Sequence, residues 1–270
     1  MRHNGWMILG LVGVASTCVA MPAHAQTFRA GTGILQGPTT NFSVPRAYVR
    51  PGGNNLVGTT LYLGSQGAAG LPTNALGLRA EMGMGGNFQL DTGIAAITAV
   101  PWRGYLSMAG KWGFLREGGP ALASISGMFG GLLAVDANGI PSLGLQFGLP
   151  ISKMFVFNRY NSLNFSLVPA FNLGVWNAAA LIPGGAWPYS SSFVSLGLGA
   201  DFAFLPNLHL IGDTTVGIPG ITGVGTQNNL GIRWGITPSV VVDLFVGANG
   251  TGLGLGTLPA SLGLSAHWAY

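Results

Sequence analysis

The 270-residue chain reads as an all-β protein, a transmembrane antiparallel up-and-down β-barrel of about 12 strands, with counts of 10 or 14 also compatible. Three observations point there. Apolar and small or polar residues alternate through segment after segment, the periodicity of a strand with one greasy and one wettable face. Mean hydropathy is high, at +0.47, yet after residue 25 no apolar run approaches the length of a membrane helix. Charged residues make up 7% of the chain and there are 46 glycines, whereas in a soluble domain about a quarter of residues are charged.

Residues 1–25 carry a basic start at Arg2, an apolar stretch from Trp6 to Met21, and Ala23-His24-Ala25 ahead of Gln26. This is the layout of a secretory signal peptide, too short and Gly-rich in its apolar part to anchor a membrane comfortably. The expected mature chain starts at Gln26 and has about 245 residues, enough for one large domain. Cys18, the only cysteine, leaves with the signal, which excludes disulfides, thiolate metal sites and cysteine nucleophiles together. Residues 26–53 contain Pro38, Pro45 and Pro51 and are the least regular part, either the first strands or a plug folded into the lumen. The barrel itself is expected over 54–270.

Three hairpins are explicit. Leu230, Ile232, Trp234 and Ile236 share a face, Thr237-Pro238-Ser239 turns, and Val240, Val242, Leu244 and Val246 return on that face. The plan repeats around Leu205-Pro206-Asn207 and around Gly85-Gly86-Asn87. Further strands are expected near 56–65, 102–114, 121–135, 142–152 and 163–176. The tight turns alternate with longer connections such as 177–192 and 217–227, which assigns the turns to the periplasmic end and the loops to the extracellular end. The last strand, Leu262 to Tyr270, runs to the periplasmic end as well.

That orientation sorts the aromatics into two belts, where amphipathic rings meet lipid headgroups. Phe88, Trp112, Phe114, Phe155, Phe157, Phe202, Phe204, Trp234, Trp268 and Tyr270 collect near the periplasmic end. Trp102, Tyr105, Trp176, Trp187 and Tyr189 lie toward the other.

With the apolar face toward lipid, the lumen receives Arg79, Glu81, Gln89, Asp91, Lys111, Asp201, His209, Asp213, Arg233, Asp243 and His267. Inward charge is what lipid demands, since a charged side chain at the bilayer midplane costs about 2–4 kcal/mol. If Ile236 pairs with Val240, Arg233 stands opposite Asp243; the same logic sets Glu81 opposite Asp91, with Arg79 diagonal to Asp91. These residues define a polar ring low in the lumen, read either as a constriction or as a salt-bridge network joining strands. Above it Gly77, Gly93, Gly144, Gly148, Ser195, Gly197, Gly199, Gly231 and Gly263 leave an open bore, room for an inserted segment, or relief of curvature.

The chemistry is otherwise bare. The formal charge of +4 comes from scattered basic residues, which argues against a nucleic-acid surface. Two luminal histidines without cysteine make a poor metal set, so no metal or other cofactor is expected. Nucleophile-elbow, zincin and phosphate-loop motifs are lacking. His209 and His267 are followed two positions later by Ile211 and Ala269, where barrel lipid hydrolases place a Ser, so no enzyme is expected.

The export signal, the hairpins around Pro206 and Pro238 and the Leu262–Tyr270 terminus together resemble the Gram-negative outer-membrane β-barrel class, porin- or transporter-like. In length and apolar tone the chain resembles small-solute channels and phenol meta-pathway transporter-like barrels. The resemblance implies Sec-type export to the outer membrane and contact with its lipid. It also implies a terminal signal for barrel-assembly machinery carried by Leu262, Leu264, Trp268 and Tyr270. It leaves two functional expectations: a passive channel or transporter for small neutral or apolar solutes, or a structural or surface-display barrel with a filled lumen.

Overall fold

The computed structural model describes residues 38–42, 44–64, 74–98, 103–118, 121–135, 141–177, 193–218, 225–251 and 260–270. The signal peptide and most of the two long connections lie outside them. So do the side chains expected to form the extracellular aromatic belt.

The described strands are β1 (Asn55–Gly64), β2 (Asn74–Gly85), β3 (Phe88–Thr98), β4 (Arg103–Leu115), β5 (Ser124–Val135), β6 (Pro141–Gly148) and β7 (Ile151–Val156). They continue with β8 (Ser162–Asn177), β9 (Phe193–Leu205), β10 (Leu208–Ile218), β11 (Gly225–Thr237), β12 (Val240–Thr251) and β13 (Ala260–Ala269). All pair antiparallel with neighbours in sequence, and β1 closes the ring on β13. β6 and β7 are two halves of one crossing: both lie between β5 and β8, and Leu149-Pro150 interrupts them because proline has no N–H for the ladder. The wall is therefore a closed ring of twelve crossings. Among the described residues no helix is long and apolar enough to cross a membrane; the strands do the crossing.

Closure leaves no free sheet edge among the described strands, the condition under which a sheet can cross hydrocarbon. The seam extends to the chain end: Asn55 N donates to Tyr270 O at 3.1 Å, and Tyr270 N to Asn55 O at 3.0 Å. The three sequence-predicted hairpin turns are present, and at Gly85, Gly86 and Asn87 the chain adopts φ of 81°, 58° and 61°. Those left-handed angles explain two glycines and an asparagine there.

Alternation gives the wall two unlike faces. Leu76, Leu61, Leu264, Leu244, Ile232, Leu210 and Phe202 are cross-strand partners in succession, a continuous apolar row spanning seven strands of the outer surface. Leu264 is 49% exposed and Leu244 51%, although a water-soluble protein would bury such a row. Phe88, Trp112, Phe114, Phe155, Phe157, Trp234, Trp268 and Tyr270 are exposed toward the tight-turn end, while Phe202 and Phe204 are half-buried. The opposite face holds most of the buried polar side chains among the described residues, an inverted core.

One detail of register departs from expectation. A bulge at Ile236 gives Val240 the partner Thr237, yet Arg233 still faces Asp243 because the slip is absorbed at the turn. Glu81 faces Asp91 and Arg79 stands opposite Gly93, diagonal to Asp91 as expected, while its guanidinium also pairs along its own strand with Glu81 at 2.8 Å. Residues Arg79 and Glu81 point the same way at a separation of two, and Glu81 is the more deeply buried carboxylate.

Candidate functional site

On β10, β11 and β12 the register brings three luminal groups side by side: His209 pairs with Arg233, and Arg233 with Asp243. The Arg233 guanidinium grips Asp243 through two bonds, Nε to Oδ1 at 2.8 Å and a terminal nitrogen to Oδ2 at 2.9 Å. His267 Nε2 on β13 lies 3.3 Å from the same carboxylate. On β9, Asp201 holds His209 Nδ1 at 2.6 Å. On the far side of the bore Arg79, Glu81, Asp91 and Lys111 occupy β2, β3 and β4, with Gln89 donating to Asp91 at 2.6 Å. Glu81, Gln89 and Lys111 are fully buried, and Asp201, His209, Asp213, Arg233, Asp243 and His267 nearly so. Leu262, Leu264, Trp268 and Tyr270 sit on the outer face, all exposed.

What buries the luminal set is the chain's own segment from Thr39 to Pro51. Asn41 N bonds Val44 O and Arg46 N bonds Thr39 O, both at 2.9 Å, so the segment folds back on itself as a small turn inside the barrel. Wall carboxylates take up its donors. Asp213 Oδ2 accepts the backbone N–H of Phe42 at 2.8 Å and of Val44 at 3.0 Å, while its other oxygen accepts from Asn229 at 2.7 Å. Glu81 accepts from Thr39 N at 3.0 Å and from the Arg50 guanidinium at 2.8 Å, besides Arg79. Asp201 takes the Arg46 guanidinium at 2.5 Å.

Wall donors reach the segment's acceptors in turn. Arg233 donates to the carbonyls of Thr40 and Asn41, at 3.2 and 3.3 Å. Lys111 Nζ donates to Thr39 Oγ1 at 2.9 Å and to Arg46 O at 3.3 Å. Asn164 donates to the Tyr48 hydroxyl at 2.8 Å. Burial, and then the charge of Glu117, push the Tyr48 phenol up to about 12, so it stays neutral here. An aromatic stack inside the barrel joins the segment to the wall, Phe42 on Phe245 with centroids 4.5 Å apart.

Glycine positions in the wall are cut to this filling. A Cβ on Gly199 would strike the amide nitrogen of Asn41, one on Gly197 would come within 3.1 Å of Val44, and one on Gly83 would strike the Pro51 carbonyl. Gly231 and Gly263 instead make room for Phe245. Of the uses open to luminal glycine, an inserted segment applies at 197 and 199 and an inward ring at 231 and 263. Higher in the barrel Ser107, on the Lys111 face of β4 and opposite Gly93, is exposed.

The sequence reading placed the wall residues but missed Thr39, Phe42, Arg46, Tyr48 and Arg50. A signal was present. The wall at this level offers three cations, Arg79, Lys111 and Arg233, against five carboxylates, Glu81, Asp91, Asp201, Asp213 and Asp243, and the irregular segment next to it carries Arg46 and Arg50 within one five-residue stretch.

A closed twelve-crossing wall, apolar outside and polar inside, defines a transmembrane β-barrel of the outer-membrane type. Solved structures agree on the fold. An outer membrane channel from Pseudomonas putida F1 aligns with a TM-score of 0.56 and 10% identity, over 80-odd percent of this chain (83%) and 98% of its own. The NanC porin aligns at 0.55 and 10%, over 79% and 98%. The KdgM porin in complex with disordered oligogalacturonate aligns at 0.51 and 8%, over 80% and 99%. No protein-family model and no curated protein matches the chain. The chain thus has the fold of outer-membrane porins and channels.

Proposed function

We propose that this protein is an outer-membrane channel for small neutral or apolar solutes, with the segment from Thr39 to Arg50 standing in the periplasmic half of the bore as a plug that narrows it. The observation that carries the reading is the charge balance at that level. Arg46, Arg50, Arg79, Lys111 and Arg233 face Glu81, Asp91, Asp201, Asp213 and Asp243, five cations to five carboxylates, with Arg46 paired to Asp201, Arg50 and Arg79 to Glu81, and Arg233 to Asp243. Close, mutually neutralised charges leave little net field along the bore, so a charged solute gains nothing there to offset its desolvation. The small residues and exposed Ser107 above leave space for a solute to enter.

Export by the signal at 1–25, delivery to the outer membrane of a Gram-negative cell, and assembly through the terminus at Tyr270 belong to the same proposal. Liposome swelling with small neutral solutes and planar-bilayer conductance of the purified protein test it. Swelling with low ionic conductance is expected. A barrel that passes neither solutes nor ions, in full length and in a chain lacking 26–53, would establish the filled structural barrel instead. A full-length barrel that is silent beside an open truncated chain would show the plug as a complete seal.

A further inference from the structure

We propose that Arg46 and Arg50 determine the charge selectivity of the bore, as built-in counter-ions to Asp201 and Glu81. Without those two guanidiniums the wall is an anionic tract that favours cations. The selectivity consequence rests on the channel reading above; the counter-ion role does not.

The argument starts from the wall alone. Its inward side chains at this level carry two more negative than positive charges, and the two carboxylates concerned are almost fully buried, Glu81 at 0% and Asp201 at 4% exposed. An uncompensated carboxylate in such a place is costly, so the wall requires cations from elsewhere. They come from one short stretch. Arg46 and Arg50 lie four residues apart in sequence, yet their partners stand on β9 and β2, six places apart in the ring of twelve and thus diametrically opposite. The segment spans the bore and delivers one guanidinium to each side.

The fit is specific to a guanidinium. Arg50 donates to Glu81 through Nε and to the Asn54 side chain through a terminal nitrogen at 3.0 Å, while its own backbone N–H is held by Gln89 at 2.8 Å. Arg46 likewise splits its donors, Nε to Asn41 at 3.0 Å and a terminal nitrogen to Asp201. A lysine ammonium has no second donor placed to do this.

The test has two arms. In planar bilayers under a potassium chloride gradient, the wild type is expected to show nearly equal permeability to potassium and chloride. R46Q/R50Q is expected to show a severalfold preference for potassium, and adding E81Q/D201N to that background should abolish it. An unchanged reversal potential in R46Q/R50Q overturns the selectivity claim. The second arm needs no conduction: the thermal unfolding of folded, detergent-solubilised R50A, and of the less buried R46A, is followed in millimolar methylguanidinium or tetramethylammonium. Methylguanidinium should raise the midpoint of each variant, and not of the wild type or of R50A/E81Q. Lack of that rescue in both variants overturns the counter-ion role, whereas rescue in barrels that never conduct would retain it and count against the channel reading alone.

Discussion

Arg233 and Asp243, directly opposite on β11 and β12, form a two-bonded ion pair that is 2% exposed on each side, and the same guanidinium holds two carbonyls of the inserted segment. One side chain therefore ties wall to wall and wall to plug.

Removing one partner of this pair should cost far more than removing both. R233L leaves Asp243 buried beside His267 alone, and losing one member of a buried pair costs about 3–5 kcal/mol. R233L/D243L leaves two apolar side chains and should recover most of that loss. Urea unfolding of the protein in lipid vesicles, wild type against single and double variants, measures the difference. Equal losses would mean that Arg233 matters through the carbonyls of Thr40 and Asn41 rather than through Asp243.

The second prediction concerns the plug's seat. Gly199 has no room for a side chain while Asn41 is in place, and Gly197 has little beside Val44. Both face the lumen, so G199L displaces the segment without touching the lipid face or the ladder. G199L should raise conductance and open the Arg46–Ala47 bond to trypsin, while the barrel keeps its heat-resistant migration on gels. Unchanged trypsin resistance in folded G199L would refute the seat.

How much of this was legible in the sequence depends on which force sets each feature. Period-two alternation and turn residues follow from local sterics and from lipid on one side, so the hairpins at Gly86, Pro206 and Pro238 and the Arg233–Asp243 pairing could be read directly. The bulge at Ile236 could not, because a slip of one residue at a turn leaves the pattern on both strands intact. Nor could the break at Pro150, which divides one expected strand into β6 and β7. The segment at 39–51 has no period at all. Its conformation is set by partners up to 193 residues away, such as Arg233 for Thr40, and only charge bookkeeping across the whole lumen could have pointed to it.

On the outer face the cost of charge should depend on depth. Leu264 lies mid-strand in the apolar row, flanked by Leu61 and Leu244, whereas Trp268 is near the tight-turn rim beside Tyr270. L264R should destabilise the folded barrel in vesicles by about 2–4 kcal/mol, and W268R by about 0–1 kcal/mol from charge alone, because a cation near the interface reaches headgroups and water. Reversible urea titration in phospholipid vesicles reads both. Equal costs at the two positions would show that the membrane does not lie where the Leu76-to-Phe202 row puts it.

The upper lumen supplies the last prediction. Ser107 and Gly93 are cross-strand partners on the inward face, the hydroxyl 3.4 Å from the Gly93 carbonyl, and Ser107 is exposed although it faces the inside of a closed barrel. Exposure there means space, and under the channel reading a solute bound for the inserted segment passes it. S107W fills that space with a rigid ring while leaving the plug's contacts with Glu81, Asp201, Asp213 and Arg233 untouched. The variant should fold as the wild type does and slow liposome swelling more for larger neutral solutes than for smaller ones. In the G199L background it should also cut the raised conductance. If S107W leaves swelling and conductance unchanged in both backgrounds, the solute path does not pass this wall, and the small residues of β2, β3 and β4 serve packing alone.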